Sequence, residues 1–409
     1  MSISNLKATP AHSAGSGGRL SGPELIARLE AMIPALRARG QAAEEAGRIP
    51  EETLQELHAT DVFRAVVPQR FGGHEIGYRY IPQIFRTLGR GCMSTAWSMG
   101  FLVYHNFQFA HFPEAAQQEV WGPGSRGFTM APGQVMPAGQ AIAVEGGYLL
   151  TGRWGYATGI NHGDWMLFAA PVSGGEHDGD VLRFYAPVKD FTVLDTWNVA
   201  AMRATGSHDV TAENMFVPAH RAVKVSELRN ARAEGLKNNP GSLYRIPLLT
   251  FMCVGGVGPL VGAAEAMAEI VTETLRNKVR AYSIAKAQGQ MSTRVRMAEL
   301  HARLAAMTAL YENRAQYVEE TVAATGGLSP EDRAALRAVV SWIAKESQEL
   351  VNAFAREAGS RSIYLDSPVQ RFQRDANALA THALFDMDQT GDTWGHILMG
   401  QDLPQGAMI

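Results

Sequence analysis

Hydrophobic periodicity changes twice along this chain, and those two changes constrain the fold more than any single motif. From about residue 20 to 126 apolar residues recur at helical spacing; from about 127 to 225 they alternate with polar ones, punctuated at short intervals by Gly and Pro. From about 240 to the end the helical spacing returns. The order is therefore helices, a small all-β unit, then helices. A doubly wound parallel sheet, which would alternate strands and helices throughout, is excluded.

Local signals place the elements. Ser21 to Glu24 is an S-x-x-E capping pattern ahead of Leu25, Leu29, Ile33 and Leu36, so a helix starts there, with Pro34 kinking or restarting it. Glu51 to Thr60 predicts a second helix, followed by a short apolar run stopped by Pro68 and the Gly72-Gly73 pair. Residues 78–120 read as helical, and the apolar content around Ala96 to Phe112 makes that helix central. Near the other end Ser329-Pro330-Glu331-Asp332 is a helix start and Gly359 a stop. Within the β unit, Tyr148 to Trp165 (YLLTGRWGYATGINHGDW) predicts two short strands and a turn that presents Thr158 at a strand end.

Composition excludes several functions. The formal net charge is −3 with no long run of one sign, so neither a nucleic-acid groove nor an anionic membrane surface is indicated. Cys92 and Cys253 stand far apart, without partners at metal or redox spacing, which rules against a disulfide framework or a thiolate zinc site and fits a reducing cytoplasm. Residues 1–19 are rich in Ser, Gly and Ala and lack the basic start and apolar core of a signal peptide, so a disordered lead-in is expected. The most apolar window, Pro247 to Val271, carries Pro259 and Glu265 and reads as a buried helix rather than a membrane span. Its glycines, Gly255 to Gly262, imitate a dinucleotide loop with the wrong spacing, an internal proline and no βαβ surroundings. Close helix packing is the expected role.

Five segments in order carry a family resemblance: AGRIPEETLQELHATDVFRAVVPQRFGG, YLLTGRWGYATG, MRATGSHDVTAENMFVP, RAYSIAKAQGQMSTRVRMAEL and SPVQRFQRDA. Together they resemble the acyl-CoA dehydrogenase fold over nearly the whole chain. The resemblance implies an α+β, mainly α protein: an N-terminal helical domain (20–126), a central β-barrel-like domain (127–230) and a C-terminal helical bundle (240–409). It implies a flavin between the β unit and the C-terminal helices, and a homotetramer. Thr158 matches the family's hydroxyl facing flavin N5, and Gly159 lets backbone come close to the ring. Trp154, Tyr156 and Trp165 offer apolar walls, while Arg280 and Gln290 match positions that reach flavin diphosphate or an adjoining subunit.

The departures from the dehydrogenases direct the functional reading. Where those enzymes carry "T-E-P" and "G-S-D", this chain reads TMAPGQVMP (Thr129 to Pro137); where they carry "Y-E-G-T", it reads ATHALFDMDQTGDTWG, with His382 and no glutamate. Removing a proton alpha to a thioester needs a carboxylate base in a dry pocket, and the sole fallback is Glu265. The chain is instead similar to the flavin-dependent monooxygenases built on this fold, the oxygenase components of two-component aromatic hydroxylases and the thiophene-sulfur oxygenases. That similarity implies reduced flavin (FMNH2 or FADH2) delivered by a separate NAD(P)H-dependent reductase, O2 bound as a C4a-hydroperoxyflavin, and hydroxylation of a small aromatic or heteroaromatic substrate. His105, in the long N-terminal helix, and His382, in a late helix, occupy the positions of that family's site histidines. The absence of a nucleotide fingerprint agrees with a separate reductase.

Each candidate has a plainer reading. His105 in an apolar helix could be a core residue, Thr158 a β-branched strand residue, and Arg280 and Gln290 a solvated helix face. His162 and His396 are taken as surface residues, Arg371, Arg374 and Asp375 as a structural ion network, and Ser207 and Asp209 as turn formers. An FAD-dependent acyl-CoA dehydrogenase and a flavin-free binding protein are the two rival functions.

Overall fold

The computed structural model describes residues 18–125, 129–133, 136–277 and 287–409. The N-terminal part is built from α1 (Gly22–Glu30), α2 (Ile33–Ala46), α3 (Glu51–Thr60), α4 (Ile81–Gly91), α5 (Met93–Tyr104), α6 (Asn106–Phe109) and α7 (Glu114–Trp121). Ser21 and Glu24 form the capping box of α1, and Pro34 sits in the first turn of α2, where a missing N–H costs nothing. The stretch expected as one central helix is broken at Cys92, His105 and Pro113. Its middle piece, α5, is buried along its whole length. Of the lead-in, only Gly18 and Arg19 lie among the described residues, and Arg19 Nε donates to the His74 carbonyl at 2.7 Å.

The central unit contains β1 (Gln140–Val144), β2 (Gly147–Ala157), β3 (Trp165–Ser173), β4 (Val181–Pro187), β5 (Thr192–Leu194), β6 (His208–Pro218) and β7 (Ala222–Lys224). Their order is β5-β6-β2-β1-β3-β4-β7, antiparallel except where β1 meets β3. That parallel join involves only Ala141 with Val172 and Ile142 with Ser173. The two halves of the sheet face each other across it: the Tyr148 ring lies 5.2 Å from Phe184 and Trp154 lies 4.9 Å from Phe168. The unit is barrel-like in this folding over, but β5 and β7 remain edges, so its hydrogen bonding is open.

The C-terminal part follows as α8 (Val225–Arg229), α9 (Leu248–Gly256), α10 (Gly258–Asn277), α11 (Met291–Thr325), α12 (Pro330–Ala358), α13 (Pro368–Leu379) and α14 (Met387–Leu398). The glycine run sets how closely α10 approaches α4. A Cβ at Gly262 would stand 2.2 Å from the Arg86 carbonyl oxygen, and one at Gly258 would stand 2.7 Å from Phe85 Cβ. Leu248–Arg276 is the described span long and apolar enough to cross a membrane, and 94% of its apolar window is buried inside the fold. It is the core of the molecule, packed on α4, α5 and α12.

Candidate active site

Trp97, Phe101 and His105 are spaced four residues apart and therefore share one face of α5 and its C-terminal end. Their rings run in a row, Trp97 to Phe101 at 4.5 Å and Phe101 to His105 at 5.6 Å. The far end of the row meets His382, whose ring is 5.1 Å from Trp97. Two histidines distant in sequence thus terminate a single aromatic wall.

The two rings present opposite hydrogen-bonding chemistry. His105 is 1% exposed and its Nδ1 lies 2.5 Å from the Ala131 carbonyl oxygen. A carbonyl only accepts, so the proton sits on Nδ1 and Nε2 carries a lone pair. That Nε2 is buried with no hydrogen-bond partner among the described residues. Burial first, and the charge of Arg183 second, pull its pKa down to about 3 against the opposing pull of the Ala131 carbonyl. The ring is neutral. Gly133 makes this approach possible, because a Cβ there would stand 2.5 Å from His105 Cε1.

His382 is not on a helix, contrary to the expectation from its motif. It precedes a short 3-10 turn (Ala383–Phe385), and its Nδ1 accepts the Leu384 N–H at 3.1 Å, which puts the proton on Nε2 as a donor. The protein packed around the ring, including Trp97 and Phe385, desolvates it and lowers its pKa. The residue nonetheless keeps an exposed side, and water there limits that shift.

Thr158 follows the end of β2. Its Oγ1 lies 2.9 Å from Ser207 Oγ, which in turn donates to Thr205 Oγ1 at 2.8 Å. Gly159 adopts a left-handed φ of 74° and donates its N–H to the Thr205 carbonyl; a Cβ there would stand 3.3 Å from Leu102 on α5. Ser98, also on α5, donates to that Thr205 carbonyl at 3.4 Å. The strand end is thereby held against α5 next to the aromatic row. Ser207, read from the sequence as a turn former, belongs to this hydroxyl chain; only the pairing of β2 with β6 brings it to Thr158.

The ring walls divide differently from expectation. Trp154 is fully buried in the core of the β unit, its Nε1–H donating to the Ala169 carbonyl at 3.0 Å. It is a core residue and not a cofactor wall, because its strand position points it between the two halves of the sheet. Tyr156 faces outward, 73% exposed and edge-on to Trp197 at 5.8 Å. Its φ of 58° is a costly conformation for a residue with a Cβ, and it coincides with a register shift between β2 and β6. Trp165 packs edge-on against Tyr185 with the Arg221 guanidinium over its ring. A strand-end hydroxyl, a close-approach glycine and an open aromatic ring fit an isoalloxazine edge.

The remaining candidates fall outside this cluster. Arg280 lies outside the described residues. Gln290 is the residue before α11, and its side chain does not cap that helix. Glu265, the fallback carboxylate base, is gripped by Arg86 through hydrogen bonds of 2.6 to 3.0 Å at the α4–α10 contact. A base held in that way is not free. Glu44 pairs with Arg374 at 2.5 Å, and Asp375 accepts the Met202 N–H at 2.6 Å, a structural lock between α2, α13 and the β unit. Asp209 pairs with Arg153. His162 and His396 are both half-buried rather than surface residues; burial pulls the His162 pKa to about 4, and His396 Nε2 lies 3.8 Å from Asp392.

Comparison with known proteins gives the family. Residues 32–125 match the acyl-CoA dehydrogenase N-terminal domain and residues 254–387 the acyl-CoA dehydrogenase C-terminal domain. The flavin-dependent monooxygenase, oxygenase subunit HsaA, of Rhodococcus jostii (strain RHA1) is 30% identical over 372 residues, covering 90% of this chain and 96% of that one. This chain belongs to the flavin-dependent monooxygenases. The monooxygenase is also 28% identical over 394 residues to the FADH2-dependent resorcinol hydroxylase, oxygenase component, of a Rhizobium species, covering 93% of this chain and 95% of that one. Among solved structures it superimposes on XiaF from a Streptomyces species, in complex with FADH2 and glycerol. There the TM-score is 0.86 and the identity 26%, with 93% of this chain and 96% of that chain covered. The monooxygenase is thus an oxidoreductase of the acyl-CoA dehydrogenase fold that uses reduced flavin and O2.

Proposed function

We propose that the monooxygenase hydroxylates a small phenolic or related heteroaromatic substrate at the aromatic row between His105 and His382. The net reaction consumes substrate, O2 and reduced flavin and yields hydroxylated product, water and oxidised flavin. Reduced flavin, when bound, supplies the electrons that activate O2; Thr158, Gly159 and Tyr156 are the residues that would hold it. The remaining chemistry belongs to the chain itself. His105 Nε2, a neutral acceptor in a dry place, accepts the phenol O–H and raises electron density on the ring. His382, with its proton on Nε2, is a donor at the opposite end. Trp97 and Phe101 exclude water from the space between and stack the substrate.

The observation that carries this reading is the buried, unpartnered Nε2 of His105, a lone pair that burial leaves without water and that a hydroxyl would satisfy. The names of the relatives, one an oxygenase subunit and one an oxygenase component, support a separate reductase as the electron source. Gln290, and Arg280 with it, would then serve a neighbouring subunit's flavin in a homotetramer working in the cytoplasm.

The test supplies the purified chain with enzymatically reduced FAD, 18O2 and a panel of phenols, indoles and their methyl ethers. Label from O2 is expected in the hydroxylated product of a free phenol, lost in His105→Ala. Oxygenation of methyl ethers as readily as of phenols would remove His105 from its role.

A further inference from the structure

A second buried polar group stands one helical turn beyond His105. Gln108, on α6, is 1% exposed, and its amide orientation is fixed because its Oε1 accepts from Arg183 Nε at 3.0 Å. A guanidinium only donates, so the carbonyl end must face it and the NH2 end must point away. That Nε2 is buried with no hydrogen-bond partner among the described residues. Arg183, on β4, is itself 4% exposed, and its Nη2 lies 3.1 Å from the place a Cβ on Gly133 would occupy. The same place is 2.5 Å from His105 Cε1. His105 and Arg183 therefore meet at the bare face of Gly133, and Gln108, one helical turn from His105, is joined to them through Arg183; His105 offers a lone pair and Gln108 offers N–H groups, neither satisfied among the described residues.

A phenolic hydroxyl satisfies both at once, because its proton needs an acceptor and its oxygen lone pairs need a donor. Neither the family resemblance nor the names of the relatives assign a role to Gln108. We propose that Gln108 is a specificity-determining residue that donates its amide N–H to the substrate oxygen whose proton His105 accepts, with Arg183 as the positioning residue that locks the amide in that orientation. The inference rests on the phenolic reading above and extends it. A methyl ether presents no proton to His105. An ionised phenol would gain most, since a donor and a buried guanidinium lie on the side where its charge resides.

The test is anaerobic fluorescence titration of the chain carrying reduced FAD, using 2-naphthol and 2-methoxynaphthalene as probes. Gln108→Met keeps the length and removes the donor. It is expected to weaken 2-naphthol roughly tenfold, the ordinary consequence of leaving a strongly polar oxygen unpaired, and to leave 2-methoxynaphthalene within about twofold. The ether also reports whether the variant has folded. Arg183→Met, which frees the amide to rotate, should weaken 2-naphthol by a smaller factor in the wild-type Gln108 background and not at all on top of Gln108→Met. Unchanged 2-naphthol binding in Gln108→Met, or equal loss of both probes, overturns the assignment of Gln108. If the unaltered chain binds 2-naphthol no better than its ether, the phenolic reading itself fails, and with it this inference.

Discussion

The neutral state of His105 makes a measurable claim about acid stability. Folding lowers its pKa from 6.5 to about 3. In the unfolded chain the ring takes up a proton below pH 6.5, whereas in the folded chain it stays neutral down to about pH 3. The unfolded state therefore binds more protons in this window, and stability falls as pH falls through it. Each pH unit below 6.5 costs ~1.4 kcal/mol for this one group, or about 2 kcal/mol between pH 6.5 and 5. For a chain of 409 residues that energy corresponds to a melting shift of roughly 2 °C. His105→Asn keeps a donor for the Ala131 carbonyl and removes the titration. Thermal unfolding of both proteins is followed by calorimetry between pH 7.5 and 5, and only the difference in slope is read. The wild type is expected to lose about 2 °C more than the variant. His111, also buried with a pKa near 3, pulls the wild type and the variant alike. Asp375, whose pKa burial raises to about 6, acts with the opposite sign as pH falls from 6 toward 4, again in both proteins. Parallel curves would refute a desolvated, neutral His105 and, with it, an acceptor at Nε2.

Two further outcomes test the placement of residues in β2 and just beyond its end. Thr158→Val preserves shape and deletes the hydroxyl that meets Ser207; anaerobic titration should show reduced FAD bound roughly three- to tenfold more weakly, and an unchanged affinity would take Thr158 out of the cofactor site. Trp154→Ala should lower stability by about 3 to 5 kcal/mol through the cavity it leaves, read by calorimetry, with flavin affinity of the folded fraction unchanged. Loss of flavin without loss of stability would restore Trp154 as a cofactor wall.

The chain's periodicity alone fixed the order of helical and β segments, because burying one face of a helix or a strand imposes spacings of 3.6 or 2 that are written directly in the residues. Capping boxes at Ser21 and Ser329, the restart at Pro34 and the packing glycines at 258 and 262 are equally local signals. Motif resemblance carried the family and three site candidates, His105, His382 and Thr158. What the sequence could not decide was direction and company. Trp154 and Tyr156, two residues apart, would be expected on the same side of a regular strand, yet one fills the core and the other is open, because the register shift between them breaks the alternation. Ser207 reaches Thr158 only through strand pairing, and Gln108 becomes informative only when Arg183, on a distant strand, takes its carbonyl end. Which nitrogen of each histidine holds the proton depends on a carbonyl from residue 131 and an N–H from residue 384. Those are contacts made by folding, and acceptor and donor roles follow from contacts rather than from residue type.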